Sequence, residues 1–517
     1  MNSLARFDEP ALFFGCGQAT EDPRDGLTLF GPLDEGKPYG VRAGVVGSSS
    51  AIERLARWIH TIQRPVLSAK VRQWETESKW GHIEAWERAR PAFPGFEATF
   101  GIPWSPTPLV TCEVPDDELR SALFIDDSSQ RVYKTVEVYS RRIVNALREE
   151  EARPDVWYVV IPDDIYRYCR PQSRIASDLA IETKPQASVE YLRSLAAEPS
   201  LFVEDNAAAV PYHYESDFHN QLKARLLVHQ VPTQIIRERT IAPTEVVSTR
   251  LATSLVKQAP EIAWTLSTAT FYKTGGRPWK IAGIREGVCY IGLVFKRDHT
   301  SANPRSACCA AQMFLDSGDG LVFKGDVGPW YAPDSDEFHL DRRSAKELVT
   351  LAIDSYKGKH DGKPPRELFL HGKVRFGEEE WAGFREGAGS ETNLVGVRIH
   401  DSREVKLYRQ AQHPVLRGLA YIRDERTAYL WTRGYVPRLR TYPGREVPNP
   451  LLIDVCRGNV PIEVVLRDVL ALTKVNYNSC IFADGVPVTL RFANEVGEIL
   501  TAGPPGPIPP LPFKYYI

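Results

Sequence analysis

Apolar and polar positions along this chain mark out its elements before any residue is asked to do chemistry. From Tyr39 the sequence YGVRAGVVGSSSAIERLARWI reads as a strand, a Gly/Ser turn and an amphipathic helix with Ser49 or Ser50 as its N-cap. The next apolar strand is VWYVVI over Val156–Ile161, ended by Pro162-Asp163-Asp164. Between them, residues 74–115 are rich in Trp, Pro and Phe and read as irregular insertion with short strands. Residues 217–230 (DFHNQLKARLLVHQ) have helical periodicity, 231–236 follow as a short strand, and 263–273 (AWTLSTATFYK) form a helix stopped by Thr274-Gly275-Gly276.

Beyond Pro278-Trp279 the pattern turns strand-rich: GVCYIGLVFKR, CCAAQMFLD and GLVFKGDVGPWY, then a helix over 344–356. LFLHGK, a helix over 378–387, TNLVGVRIH, AYLWTRGY and ADGVPVTLRFANEVGEIL come after it. Strand, strand, strand, helix, strand, helix is the order of a ribonuclease-H-like core, a mixed sheet with helices on its faces. The expectation is an α/β chain in two parts, 1–275 and 276–517, with an apolar aromatic tail (PLPFKYYI) that docks.

Composition narrows the choices. A chain of 517 residues exceeds what one core usually serves, and 43% hydrophobic with 25% charged residues is ordinary globular usage. Lys and Arg number 64 against 66 Asp and Glu, so no global positive field draws the chain to a polyanion and any nucleic-acid site must be a local basic groove. Eight Cys, with no CxxC and no zinc-type Cys/His spacing, predict a reduced cytoplasmic chain without a structural metal. Asp8 and Glu9 break the apolar core a signal peptide needs, and no apolar run approaches the ~20 residues that span a bilayer.

Three sets of residues bear on chemistry. His219 and Lys223 stand four apart, on one face of a helix, where they could hold a terminal phosphate with Gln234 from the next strand and Lys273 from a later helix. Spacing alone favours a solvated basic face, since Arg225, His229, Arg237 and Arg239 are close by. Val294 and His371 close two strands whose tips in a ribonuclease-H-like nuclease carry carboxylates, because two-metal cleavage holds divalent ions about 4 Å apart with acidic oxygens. Val cannot ligate a metal, and imidazole suits Mg²⁺ poorly. Glu378-Glu379-Glu380 fills a helix first turn, favoured there by the helix dipole.

FHNQLKARLLVHQVPTQIIRERT, AWTLSTATFYKTGGRPWKI, GVCYIGLVFK, LFLHGKVRFGEEEW, EVPNPLLIDV and LTKVNYNSCIFADGVPVTLRFANEVGEIL, in this order, resemble a short prokaryotic Argonaute: a Rossmann-like MID domain followed by a ribonuclease-H-like PIWI domain, with no PAZ domain. The resemblance covers essentially the whole chain. It implies a guide 5′-phosphate pocket at His219, Lys223, Gln234 and Lys273. In relatives a divalent ion, here Mg²⁺, bridges the guide phosphates to the C-terminal carboxylate, which falls on Ile517. A further ligand one helical turn before the last lysine falls on Ala269, which offers no donor.

The family's catalytic tetrad falls on Val294, His371 and Asn494, with no match for its glutamate, which implies binding without cutting. The implied partners are a guide RNA, a single-stranded DNA target and a second polypeptide with an APAZ domain fused to a TIR, DREN-type nuclease or sirtuin-like effector, acting in prokaryotic immunity. Two rival readings are an endonuclease using Asp298, Asp326 and Glu380 instead, and a scaffold that binds only protein.

Overall fold

The computed structural model describes residues 3–68, 91–150, 153–183, 187–195, 198–297, 307–315, 320–328, 331–332, 337–442, 444, 446–504 and 509–517. Among them a four-stranded sheet runs Val110–Glu113, Ala43–Gly47, Val156–Ile161, Thr233–Arg237, every pair parallel. Chain order across it is two, one, three, four, the arrangement of a Rossmann-like unit. Val156–Ile161 is buried at all its residues because helices cover both faces. Val156, Tyr158 and Val160 pack with Leu55 and Ile59 of the Ser49–Ile62 helix, while Trp157 and Val159 pack with Val132 and Val136 of the Ser128–Glu149 helix.

Among the described residues the larger sheet has ten strands in the order Ser3–Arg6, Leu419–Ile422, Thr427–Leu430, Leu451–Arg457, Asn393–Asp401, Glu367–Gly372, Val288–Arg297, Ala307–Leu315, Gly320–Gly328, Leu511–Pro512. Glu367–Gly372 is parallel to both its neighbours and the other pairs are antiparallel. This is the mixed ribonuclease-H-like core. Strand alternation sends Val288 and Tyr290 to one face, among residues of the Val488–Leu500 helix, and Cys289, Ile291 and Leu293 to the other, among residues of the Arg342–Lys357 and Glu378–Ala388 helices.

Several details correct the sequence reading. Ser48 caps the first long helix, its hydroxyl accepting from the Ala51 amide at 3.2 Å, so neither Ser49 nor Ser50 does. Val294 lies inside its strand, which continues to Arg297. ADGVPVTLRFANEVGEIL holds a helix, Val488–Leu500, and the Ser128–Glu149 and Ile462–Leu472 helices are additional. Of the stretch 74–115, residues 74–90 lie outside the described residues; the rest includes a short helix, Phe96–Phe100, and the strand Val110–Glu113.

Both ends of the chain are tied in. Ser3–Arg6 joins the large sheet, Leu12–Phe13 pairs with Lys280–Ile281, and Asp34 accepts from the Arg277 guanidinium and amide. Leu511–Pro512 pairs with Leu321 and Val322, which docks the tail. No helix among the described residues is long and apolar enough to cross a membrane.

Candidate nucleic-acid interface

Asp217 caps the Phe218–Leu227 helix by accepting from the Asn220 amide at 3.1 Å, and this start fixes which face carries His219 and Lys223. Lys223 is 2% exposed; its ammonium donates to the main-chain oxygen of Ile517 at 2.6 Å and to the Thr233 carbonyl at 3.4 Å. Lys273, at the end of the Ala259–Lys273 helix and 1% exposed, donates to the same Thr233 carbonyl at 3.0 Å and to Gln234 Oε1 at 2.5 Å. A shared acceptor holds the two ammonium groups side by side. Residues from two helices, one strand and the last residue thus meet at one place.

Burial works against positive charge at that place. Burial pushes the Lys223 amine down to about 7, with Glu495 opposing the shift, and burial followed by the Lys223 charge holds Lys273 well below the usual lysine range. His219 sits at the exposed rim with Nδ1 3.1 Å from Asn220 Oδ1; crowding by protein atoms and then the Lys223 charge lower its pKa. Two buried lysines that resist protonation form a site whose cations become favourable when an anion arrives. A terminal phosphate meets that demand with several acceptor oxygens.

Among the described residues no three His, Cys, Asp or Glu gather as a metal site. Around the lysine pair, Ile517 and Gln234 offer hard oxygen donors, while Ala269, 1% exposed, offers none. Both oxygens are engaged by the lysines, Ile517 by Lys223 and Gln234 by Lys273.

The second candidate centre is built differently. His371 is 1% exposed and pairs in register with Gly292; one ring nitrogen, Nδ1, is hydrogen-bonded to Thr489 Oγ1 at 2.9 Å and Nε2 has no partner among the described residues. Burial pushes its pKa down to about 3, so the imidazole is neutral. A Cβ on Gly292 would lie 1.8 Å from the Thr489 carbonyl oxygen, so glycine is what lets the Val488–Leu500 helix sit this close to the strand. Val294, Asn494 and Glu380 border one cavity of about 200 Å³. Glu380 is committed to structure: it is 2% exposed and accepts from the Leu340 amide at 3.1 Å and the Gly377 amide at 3.3 Å, with His339 Nδ1 at 3.2 Å. Asp298 and the Asp326 side chain lie outside the described residues.

A third feature escaped the sequence reading. Loops after the Asn393–Asp401 and Thr427–Leu430 strands enclose a cavity of about 620 Å³ bordered by Arg403, Arg417, Arg433, Tyr442, Asn449 and Asp484. Arg403 and Arg433 are exposed at it, whereas Arg417 is buried and donates to Glu9 at 2.8 Å and to Thr473 Oγ1 at 2.7 Å. The Asn449 side-chain oxygen is buried with no hydrogen-bond partner among the described residues. The signal available in sequence was a set of arginines in the turns SREVK and WTRGY, which carry no period.

No family model and no curated protein matches this sequence. Solved structures do, over nearly the whole chain. Clostridium butyricum Argonaute bound to a guide DNA and a 19-mer target DNA superposes with a TM-score of 0.62 at 14% identity, covering 98% of this chain and 54% of that one. Drosophila Piwi superposes with a TM-score of 0.53 at 13% identity, covering 99% and 56%. This chain therefore spans little more than half the length of either. The architecture is that of an Argonaute MID–PIWI pair with a ribonuclease-H-like PIWI unit.

Proposed function

We propose that this chain uses its Argonaute-type fold to hold a small guide strand by its 5′ phosphate and to present it for pairing with a complementary strand, which it does not cut. One observation carries the reading: the Lys223 and Lys273 ammonium groups, both buried, converge on the Thr233 carbonyl beside Gln234 and Ile517, with His219 at the rim. The MID unit, which we place at 1–275, supplies the anchor, and the PIWI unit, 276–517, supplies the groove. Gln234 would join the lysines at the phosphate, and Mg²⁺ would be held by the Ile517 carboxylate, where it would neutralise phosphate charge.

Guide and target then run past the cavity bordered by Arg403 and Arg433, which contact backbone while base pairing supplies sequence specificity. Val294, His371 and Asn494 stand at the positions of a nuclease tetrad and offer no pair of carboxylates to hold two ions. The guide is RNA and the target single-stranded DNA. Pairing shifts the population of an assembly with an APAZ-domain effector of TIR, DREN-type or sirtuin-like chemistry, in cytoplasmic defence against plasmids or phage.

The test is a pair of measurements on the purified chain. A 5′-phosphorylated guide RNA should bind far more tightly than its 5′-hydroxyl form, and the preference should vanish in Lys223→Ala/Lys273→Ala. Incubation with guide, target and Mg²⁺ or Mn²⁺ should leave the target intact. Equal affinity for the two guides overturns the anchor, and guide-directed cleavage overturns the inactive centre.

A further inference from the structure

Asp401 and Leu430 both pair with Leu451 in the large sheet. The loop after Asn393–Asp401, the turn after Thr427–Leu430 and the segment leading into Leu451–Arg457 therefore gather at one end of it. Glu367–Gly372 runs parallel to Asn393–Asp401, with His371 opposite Val397, so its tip points to that same end. Nucleic acid held over this end of the sheet has these loops beside it.

Next to the cavity of about 620 Å³ the loops form another of about 250 Å³, bordered by Tyr408, Arg409, Gln412 and His413. Tyr442, Glu446 and Val447 border both, so one wall divides them. Tyr408 is 75% exposed, and the His413 ring stacks on Tyr435 with centroids 4.5 Å apart and planes 14° from parallel. An aromatic ring left in water beside a cavity offers a face on which an unpaired base stacks.

The two cavities differ in charge. Arg403 and Arg433 at the first suit phosphate oxygens. Glu446 stands in the shared wall, where its carboxylate repels phosphate and accepts from N–H groups. Of the four bases, guanine alone sets two neighbouring N–H donors, at N1 and N2, beside the acceptor O6 on its pairing edge. A carboxylate takes both donors, and the Arg409 guanidinium or the Gln412 amide donates to O6. We propose that the smaller cavity binds one unpaired guanine of the strand whose backbone passes Arg403 and Arg433. Tyr408 stacks on the base and Glu446 reads its edge. The proposal rests on the guided-recognition reading and deepens it, by naming the base that the chain itself selects outside the paired segment.

The experiment is equilibrium binding of the full purified chain to short 5′-hydroxyl DNA strands, read by fluorescence anisotropy. The strands are all thymine, or carry guanine or inosine at one position. One guanine should tighten binding roughly tenfold, the worth of a good bidentate base contact. Inosine lacks the N2 amino group and should lose most of that gain. Glu446→Ala should bring the guanine and inosine strands level, and Tyr408→Ala should weaken the guanine strand several-fold. Equal affinity of the three strands for the unaltered chain overturns the proposal. A guanine preference that survives Glu446→Ala overturns it too, as does GMP binding as tightly as the guanine strand, which would make the site one for a free nucleotide. These strands carry no 5′ phosphate, so their result is independent of the lysine anchor, whose failure shows instead as equal affinity for 5′-phosphorylated and 5′-hydroxyl guides.

Discussion

The lysine pair at Thr233 and the imidazole at Gly292 are both buried ionisable sites, but they answer burial in opposite ways. At the first, two lysine amines share one carbonyl beside His219, which is exposed. At the second, Thr489 closes over His371, one ring nitrogen is bonded, and the ring stays neutral. A depressed pKa is shared by both and so does not distinguish a binding site from a filled space. Convergence of donors from separate elements is found only at the lysine pair of the two.

The comparison breaks most readily at the lysines. Lys223→Ala/Lys273→Ala removes two charge-assisted hydrogen bonds, each worth roughly 1.5–3 kcal/mol, so affinity for a 5′-phosphorylated guide RNA should fall on the order of 100-fold or more, read by fluorescence anisotropy. His371→Gln should leave that affinity unchanged. A large loss in the histidine variant and none in the double lysine variant would reverse the assignment of roles.

Proton linkage gives the next largest effect. Lys223 titrates near 7 in the unliganded fold, so above that pH it must take up a proton to meet the phosphate. Guide affinity should therefore fall as pH rises from 7 to 9, by at most about tenfold per unit for each proton taken up. His371 works on stability with the opposite sign. Its folded pKa lies near 3, below that of an unfolded histidine, so the unfolded chain binds the proton first and stability drops as pH falls from about 6.5 towards 3. In His371→Gln the acid-side loss of melting temperature should be shallower.

Smaller effects come from the groove. Arg403→Ala and Arg433→Ala should each lower guide–target affinity by less than tenfold and reduce the slope of log affinity against log salt by about one, because each removes one phosphate contact. A slope unchanged in both variants would move the groove elsewhere. Chelating Mg²⁺ should cost the 5′-phosphorylated guide a few-fold in affinity and the 5′-hydroxyl guide nothing.

Much of this was written locally. Period-two strands and period-3.6 helices gave the run from Val288 to Ala388 in order, and the four-residue step put His219 and Lys223 on one face. Non-local features were not legible in that way. Ser3–Arg6 becomes a strand only by meeting Leu419–Ile422, more than 400 residues on, and Leu511–Pro512 is two residues on an edge. Three serines in a row left the cap ambiguous until Ser48 was seen to accept from Ala51. Arg403 and Arg433 meet through turns, which leave no periodic trace.

The tight seat of the Val488–Leu500 helix over Gly292 has an evolutionary consequence. His371 is 1% exposed, so an aspartate in its place would be a charge buried under that helix. Such a group costs several kcal/mol, comparable to the whole margin that keeps a domain folded. Substitution at His371 is thereby confined to side chains that stay neutral when buried.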